Sequence, residues 1–319
     1  MIVIRLMEPG DVDAVRAVEA ESFGAWHREA KGRQKDLPKR TRKNILTLLE
    51  RDPEGCFVAV EGSRPVGFIF SRTWGSVGWF GTFGVLPECQ GGGIGQRLVA
   101  ASVDYLKRDP DRVIGLETMP ESAYNLGFYL NQGFEPRFLV LQLTRPVDDG
   151  ATAGPPLARW SELGEAGRDR RLAELRTITD RIRPGLDYAK EVLVTDRHNL
   201  GDTLFLLRND RVVGACTVLL IGKREGEETD QAAVQVLVMD PQQTSAAALA
   251  DLMAAAQTLA RERGMGSLLT PANARHTWAV RQLLQLGFRV QRARVCMVLA
   301  GTDSGPTTDS LVNLSFWAG

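Results

Sequence analysis

Between Val85 and Leu98 the chain reads VLPECQGGGIGQRL, and Gly91, Gly92, Gly93 and Gly95 crowd one short turn. An apolar strand ends at Val85. The apolar stripe Ile94, Leu98, Ala101, Tyr105 then predicts a helix over Gly93–Lys107. Glycines at such a junction let backbone N–H groups approach a ligand without a Cβ in the way. The free donors and partial positive charge of a helix N-terminus suit a phosphate or pyrophosphate. No Lys-Ser/Thr pair follows, so the loop is not GxxxxGK[ST]. Counted from Gly91, the third glycine of GxGxxG would fall on Gln96, so it is not a dinucleotide fingerprint either. A flexible turn before a helix is the plain alternative for a glycine cluster taken alone.

A loop of this kind needs a strand before it and a helix after it, and the chain carries that frame twice. Cys56–Phe70 (CFVAVEGSRPVGFIF) and Leu204–Val218 (LFLLRNDRVVGACTV) both read as strand, polar turn and strand. Leu130–Leu143 and Leu284–Leu299 both read as a helix end closed by Gly-Phe and followed by an alternating strand. The matching glycines, Gly67 with Gly214 and Gly133 with Gly287, repeat at about 150 residues, so a duplicated domain is expected. The expected boundaries are 1–147 and 157–301, joined by a Gly/Pro/Asp-rich linker at 148–156. The tail, 302–319, carries Leu311, Leu314, Phe316 and Trp317, which predicts docking on one domain or between the two.

Within the first copy, strands are expected at Ile2–Met7, Gly78–Val85, Val113–Thr118 and Phe138–Leu143 besides the Cys56–Phe70 hairpin. Helices are expected at Asp11–Phe23 with Asp11 as N-cap, at Arg40–Arg51 and near Ser122–Gln132. The fold class is α/β (α+β) with a mixed sheet. At 319 residues, with 44% apolar and 24% charged residues, each copy is able to bury its own core. Acidic and basic residues balance at 39 each, which points away from nucleic acid and from a membrane surface. The N-terminus turns charged too early for a secretory signal, and no apolar run approaches the roughly 18–20 residues of a span. Cys56, Cys89, Cys216 and Cys296 are scattered, so neither disulfides nor a metal site is expected, and a cytoplasmic location is.

Val85-x-Pro87-x-x-Gln90-x-x-Gly93-x-Gly95 resembles motif A of the GNAT superfamily of N-acyltransferases. The resemblance implies a mixed, mostly antiparallel sheet flanked by helices, here in tandem, with acetyl-CoA as co-substrate and no metal. It implies that the amides of Gln90, Gly91, Gly92, Gly93, Ile94, Gly95 and Gln96 hold the CoA pyrophosphate. The backbone of Phe83, Gly84 and Val85, beside a β-bulge that splays two strands, would pair with the pantetheine arm. Ser122–Phe134 (SAYNLGFYLNQGF) resembles motif B, with Phe128-Tyr129 and Gly133-Phe134 in place. The leading Asn of that motif is Ser122 here and its Ala is Asn125, which is carried as a further cofactor-binding candidate.

By the same resemblance Tyr129 protonates the departing thiolate, although a ring three residues after Leu126 also suits plain packing. Gly78–Val85 carries no carboxylate to deprotonate the amine, so Glu117 is the candidate base. Glu19, Glu21 and His27 border the acceptor side in the family layout. His27–Asn44 holds eight Lys/Arg against two acids and would lie over the acceptor, as a lid for acidic groups or as a solvated face. The acceptor would be a small-molecule or peptide amine, and the protein a monomer or homodimer. A noncatalytic acyl-CoA-binding sensor is the alternative; an interaction protein of this shape without ligand is the third.

In the second copy Thr244, Ala247 and Leu249 replace Gln90, Gly93 and Gly95, and Leu283 replaces Tyr129. Leu249 is expected to project where phosphate would sit, so one site per chain is expected, in the first copy. Mycothiol synthase also has a tandem layout, with its C-terminal copy catalytic as that family is known. The order here is the reverse, so its substrate is not carried over.

Overall fold

The computed structural model describes residues 1–31, 37–147, 155–220, 224–225, 230–302 and 312–315, with backbone alone for 26–31. The first copy runs β1 (Ile2–Leu6), α1 (Val12–Lys31), α2 (Arg42–Arg51), β2 (Cys56–Glu61), β3 (Arg64–Trp74) and β4 (Val77–Val85). It continues with α3 (Ile94–Leu106), β5 (Val113–Thr118), α4 (Ala123–Leu130) and β6 (Phe134–Pro146). Thr41 starts α2 by accepting from the Asn44 N–H at 3.1 Å. Asp11 is not the cap of α1. It closes a 3-10 turn at Pro9–Asp11, and its carboxylate accepts from Glu8 N–H and from the Arg5 guanidinium. On α3 the buried stripe is Ile94, Leu98, Val99, Ser102 and Leu106, rotated from the expected one, while Ala101 and Tyr105 are half-buried.

The second copy repeats the order: β7 (Ala158–Arg159), α5 (Glu165–Ile182), α6 (Ala189–Arg197), β8 (Gly201–Arg208), β9 (Arg211–Leu219) and β10 (Gln231–Met239). Then follow α7 (Ala246–Glu262), β11 (Ser267–Asn273), α8 (Thr277–Gln285), β12 (Arg289–Leu299) and the short β13 (Asn313–Ser315). In both copies the central parallel pairing is brief. β4 meets β5 only over Val77–Trp79, and β10 meets β11 only over Gln231–Ala233.

The two copies share one sheet, ordered β1-β2-β3-β4-β5-β12-β6-β11-β10-β9-β8-β7. Each copy gives its last long strand to the other, since β12 pairs with β5 while β6 pairs with β11, and β6 and β12 pair with each other. The sheet therefore crosses the expected boundary at 147–157, and most of the expected linker (148–154) lies outside the described residues. Because the two last strands descend from one repeat, either satisfies the same backbone donors, and the exchange closes edges that would otherwise stay open.

One core packs α1, α2 and α3 on the first half of the sheet, and another packs α7 and α8 on the second. A third lies between the copies, where Trp74, Val77, Trp79 and Val113 meet Leu175, Ile178, Tyr188 and Val192. No helix among the described residues is long and apolar enough to cross a membrane.

Candidate functional site

The glycine loop is exposed at Gln90, Gly91, Gly92 and Gln96 and half-buried at Gly93 and Gly95, while Ile94 anchors it in the core. Gly91 and Gly93 have φ of 82° and 76°, a region that strains any residue with a Cβ. The Gln90 side-chain amide donates to Val85 O at 3.0 Å, tying the loop to the strand end. The helical ladder of α3 begins with Arg97 N–H to Gly93 O at 3.1 Å, and no side chain caps the helix. The Gln90 N–H, expected to face a ligand, instead donates to Pro87 O at 3.2 Å to close a 3-10 turn, so the amides left to a ligand or solvent are those of Gly91–Gln96.

Beyond Trp79 and Gly115 the two parallel strands part, and no described strand pairs with β4 on that side from Phe80 to Val85. Against β3, one extra residue of β4 bulges at Gly81–Thr82, since Ile69 opposes Phe83 and Ser71 opposes Phe80. α4 closes the far side of the opening. Its N-cap is Ser122, whose hydroxyl accepts from Asn125 N–H at 3.2 Å, with Asn125 half-buried. Phe83 stacks on Phe128 at 5.8 Å; Gly84 lies under Ser22 of α1, and Val85 is buried. Tyr129 is ringed by Phe80, Phe83, Phe128 and Phe134 at centroid distances of 5.2–6.3 Å. Burial pushes its phenol well above the ordinary value, so it stays protonated near neutral pH.

Glu117 sits near the end of β5, half-buried and opposite Cys296 of β12. It shares the face of Val113, which belongs to the core between the copies, whereas Ile114 and Leu116 face α3. Burial first, then the Glu117 charge, push the Cys296 thiol up. Tyr129 and Glu117 therefore approach the opening from opposite faces of the sheet.

The α1–α2 side is ionic in a way the charge run did not foretell. Arg40 turns inward, donating to Glu19 at 3.2 Å, to Asn44 at 3.0 Å and to the Thr82 hydroxyl at 2.9 Å. Arg224, from the β9–β10 connection of the second copy, clasps Glu19 at 2.6 and 3.0 Å and donates to Pro38 O at 2.6 Å. Glu225 N–H donates to Lys39 O at 2.9 Å, so the second copy pins the segment joining α1 to α2. Glu19 is fully buried with both oxygens engaged, Glu21 is exposed, and the His27 side chain and residues 32–36 lie outside the described residues. Arg72 of β3 is buried on the same face. Burial, then the charge of Arg51, bring its pKa down to about 10. A charged residue inside the apolar run GFIFSRTW was the available signal, and its strand pattern masked it.

The second copy shows the same frame closed. Ser245 caps α7 by accepting from Ala248 N–H at 3.2 Å, so a side chain already takes one of the free donors. Leu249 does not project toward a phosphate. It is fully buried in the second core, and the matching Gly95 likewise points its missing Cβ at Phe128 and Phe83. β13 pairs with Val236–Val238, and Met239 N–H donates to Val312 O at 3.2 Å. Those are the positions equivalent to Thr82–Val85, so the chain's own tail fills the gap that stays open in the first copy. Leu314 is buried there; Leu311, Phe316 and Trp317 lie outside the described residues. Among the described residues no cluster of three His, Cys, Asp or Glu is placed to hold a metal ion.

Residues 13–134 match the Acetyltransferase (GNAT) family. A mycothiol acetyltransferase of Actinosynnema mirum is 31% identical over 140 residues, covering 42% of this chain and 44% of that protein. The matched region thus spans less than half the length of that curated relative. The fold is that of a GCN5-related N-acetyltransferase from Sphaerobacter thermophilus (TM-score 0.62, 15% identity, 100% of this chain and 98% of that one). It is also that of a tandem GNAT protein from the clavulanic acid biosynthesis pathway (TM-score 0.57, 16% identity, 97% and 100% covered). Residues 13–134 thus match the GNAT family, and the whole chain has the fold of tandem GNAT proteins, with two copies of it.

Proposed function

We propose that the chain is an N-acyltransferase that moves an acetyl group from acetyl-CoA to an amine by direct transfer, at one site in the first copy. The observation that carries the reading is the contrast between copies. The uncapped glycine loop beside an open β4 edge is preserved in one, while a serine cap and β13 occupy the same positions in the other. In this reading the amides of Gly91–Gln96 take the pyrophosphate, Gln90 braces the loop, Phe83–Val85 pair with the pantetheine, and Asn125 borders it from α4. Bulge backbone near the thioester carbonyl would stabilise the oxyanion that forms on attack. Tyr129 then gives its proton to the leaving thiolate. Glu117, on the face opposite Tyr129, takes the proton of the amine. Residues 1–147 supply the acyl-CoA unit in this proposal, and Arg224 enters the acceptor side from 157–301.

The test is a melting curve with increasing acetyl-CoA together with thiol release across a panel of amines. A melting temperature that climbs with ligand, and thiol release that depends on the amine, are expected. Binding without transfer to any amine would leave the sensor reading standing. Absence of any melting shift would reject both.

A further inference from the structure

Arg72 is a buried cation with no counter-ion of its own. It lies in β3 opposite Trp79, on the face that α1 and α2 cover. The carboxylates near it are engaged elsewhere. Glu19 is held by Arg40 and Arg224 and Asp52 by Lys190, Thr73 and Tyr105, while Glu191 accepts from Trp74 on one oxygen and lies 3.2 Å from Arg51 on the other, which has no hydrogen bond. Among the described residues no carboxylate comes within ion-pair distance of Arg72; Glu191 and Asp52 act on it from further off, against the like charge of Arg51 and Arg40. Its Nε is buried without a hydrogen-bond partner, and its Nη2 reaches Gly81 O only at 3.5 Å. A guanidinium left in this state is costly, and a planar carboxylate is the group that satisfies its fork.

Arg72 and Arg40 converge on consecutive residues of the β4 bulge, Gly81 and Thr82, where β4 has already left β5. Arg294 of β12, half-buried, lies within electrostatic reach of Arg40. The positive charge thus gathers on the face opposite Tyr129.

Resting on the transfer reading above, we propose that Arg72 receives a carboxylate of the acceptor, so that the acceptor is an amine of the amino-acid class. The amine nitrogen bonds to the acyl carbon and the C–S bond breaks. The amine's proton passes to the base, and the thiolate takes the proton of Tyr129. Arg72 exchanges no proton; it fixes where the amine stands.

The experiment measures thiol release from acetyl-CoA with amino acids offered as free acids and as the matching carboxamides, in the wild type, Arg72→Met and Arg72→Lys. Free acids are expected to be favoured by about 10²-fold in kcat/KM. Arg72→Met should erase that preference by slowing the free acids alone, Arg72→Lys should restore part of it, and KM for acetyl-CoA should not move. If Arg72→Met does not fold, the acid-to-amide ratio of the wild type decides. Carboxamides as fast as free acids would overturn the Arg72 assignment and leave transfer intact. A preference for succinyl-CoA with indifference to the acceptor's carboxylate would overturn it too, moving the anion to the acyl donor. No transfer to either series, with acetyl-CoA still raising the melting temperature, would remove the transfer reading and this inference together.

Discussion

Replacing Tyr129 by Phe separates chemistry from packing at the centre of the site. The ring stands among Phe80, Phe83, Phe128 and Phe134, so its apolar body is firmly packed. Burial alone shifts its phenol, with no charged or hydrogen-bonding neighbour contributing among the described residues. Removing only the hydroxyl should therefore change stability by less than about 1 kcal/mol. Removing the ring as well, in Tyr129→Ala, should cost about 3–5 kcal/mol.

Turnover should follow a different order. A thiol of ordinary pKa of about 8.5 leaves poorly as the bare anion at pH 7, and a placed donor contributes about 10²-fold or more. Thiol release at saturating acetyl-CoA and pH 7 should thus fall about 10²-fold in Tyr129→Phe, with KM for acetyl-CoA and the urea midpoint held. A Phe variant within twofold of wild-type turnover would refute the argument and reduce Tyr129 to a packing residue.

Leu314, fully buried where β13 meets β10, should cost about 2–5 kcal/mol when replaced by Ala, read as a lower urea midpoint; an unmoved midpoint would mean the tail is not docked. Glu19→Gln leaves Arg40 and Arg224 without their shared carboxylate and should destabilise by about 3–5 kcal/mol, which Arg224→Met in the same chain should partly relieve. Additive effects of those two changes would sink the clasp between copies. Burial first, then Asp52, push the Cys56 thiol from 9.0 to about 12. The folded chain then keeps a proton that the unfolded chain loses, so this stability is whole below about pH 9 and fades toward pH 12. Cys56→Ala should show a shallower alkaline loss in urea titrations at pH 8 and 10, and an identical slope would exclude the thiol as a cause.

The loop, its helix, the repeat and the pairing of Tyr129 with a closing Gly-Phe were legible in the chain because each is local. Glycine spacing, a 3.6-residue stripe and a turn signal all act within a few residues of one another. The same locality made the second copy readable as degenerate, since a leucine at the position of Gly95 is visible without coordinates. Its meaning was not visible. Leu249 turns into the core, and the closure of that copy is done by Ser245 and by a strand more than sixty residues further on.

What the sequence by itself determined is the glycine loop, the repeat and the copy that keeps those glycines. Tertiary structure alone decided which strand lies beside which. β6 and β12 carry equivalent patterns, and only the assembled sheet places each against the other copy. It also decided that Arg40 turns in from a run read as a lid for acidic groups or a solvated face, that Arg224 arrives from the second copy, and that the Arg72 Nε is left unmatched near the bulge. Hydrophobic period and turn chemistry fix local form. Charge pairing at long sequence separation depends on which surfaces meet, and no stretch of the chain records that.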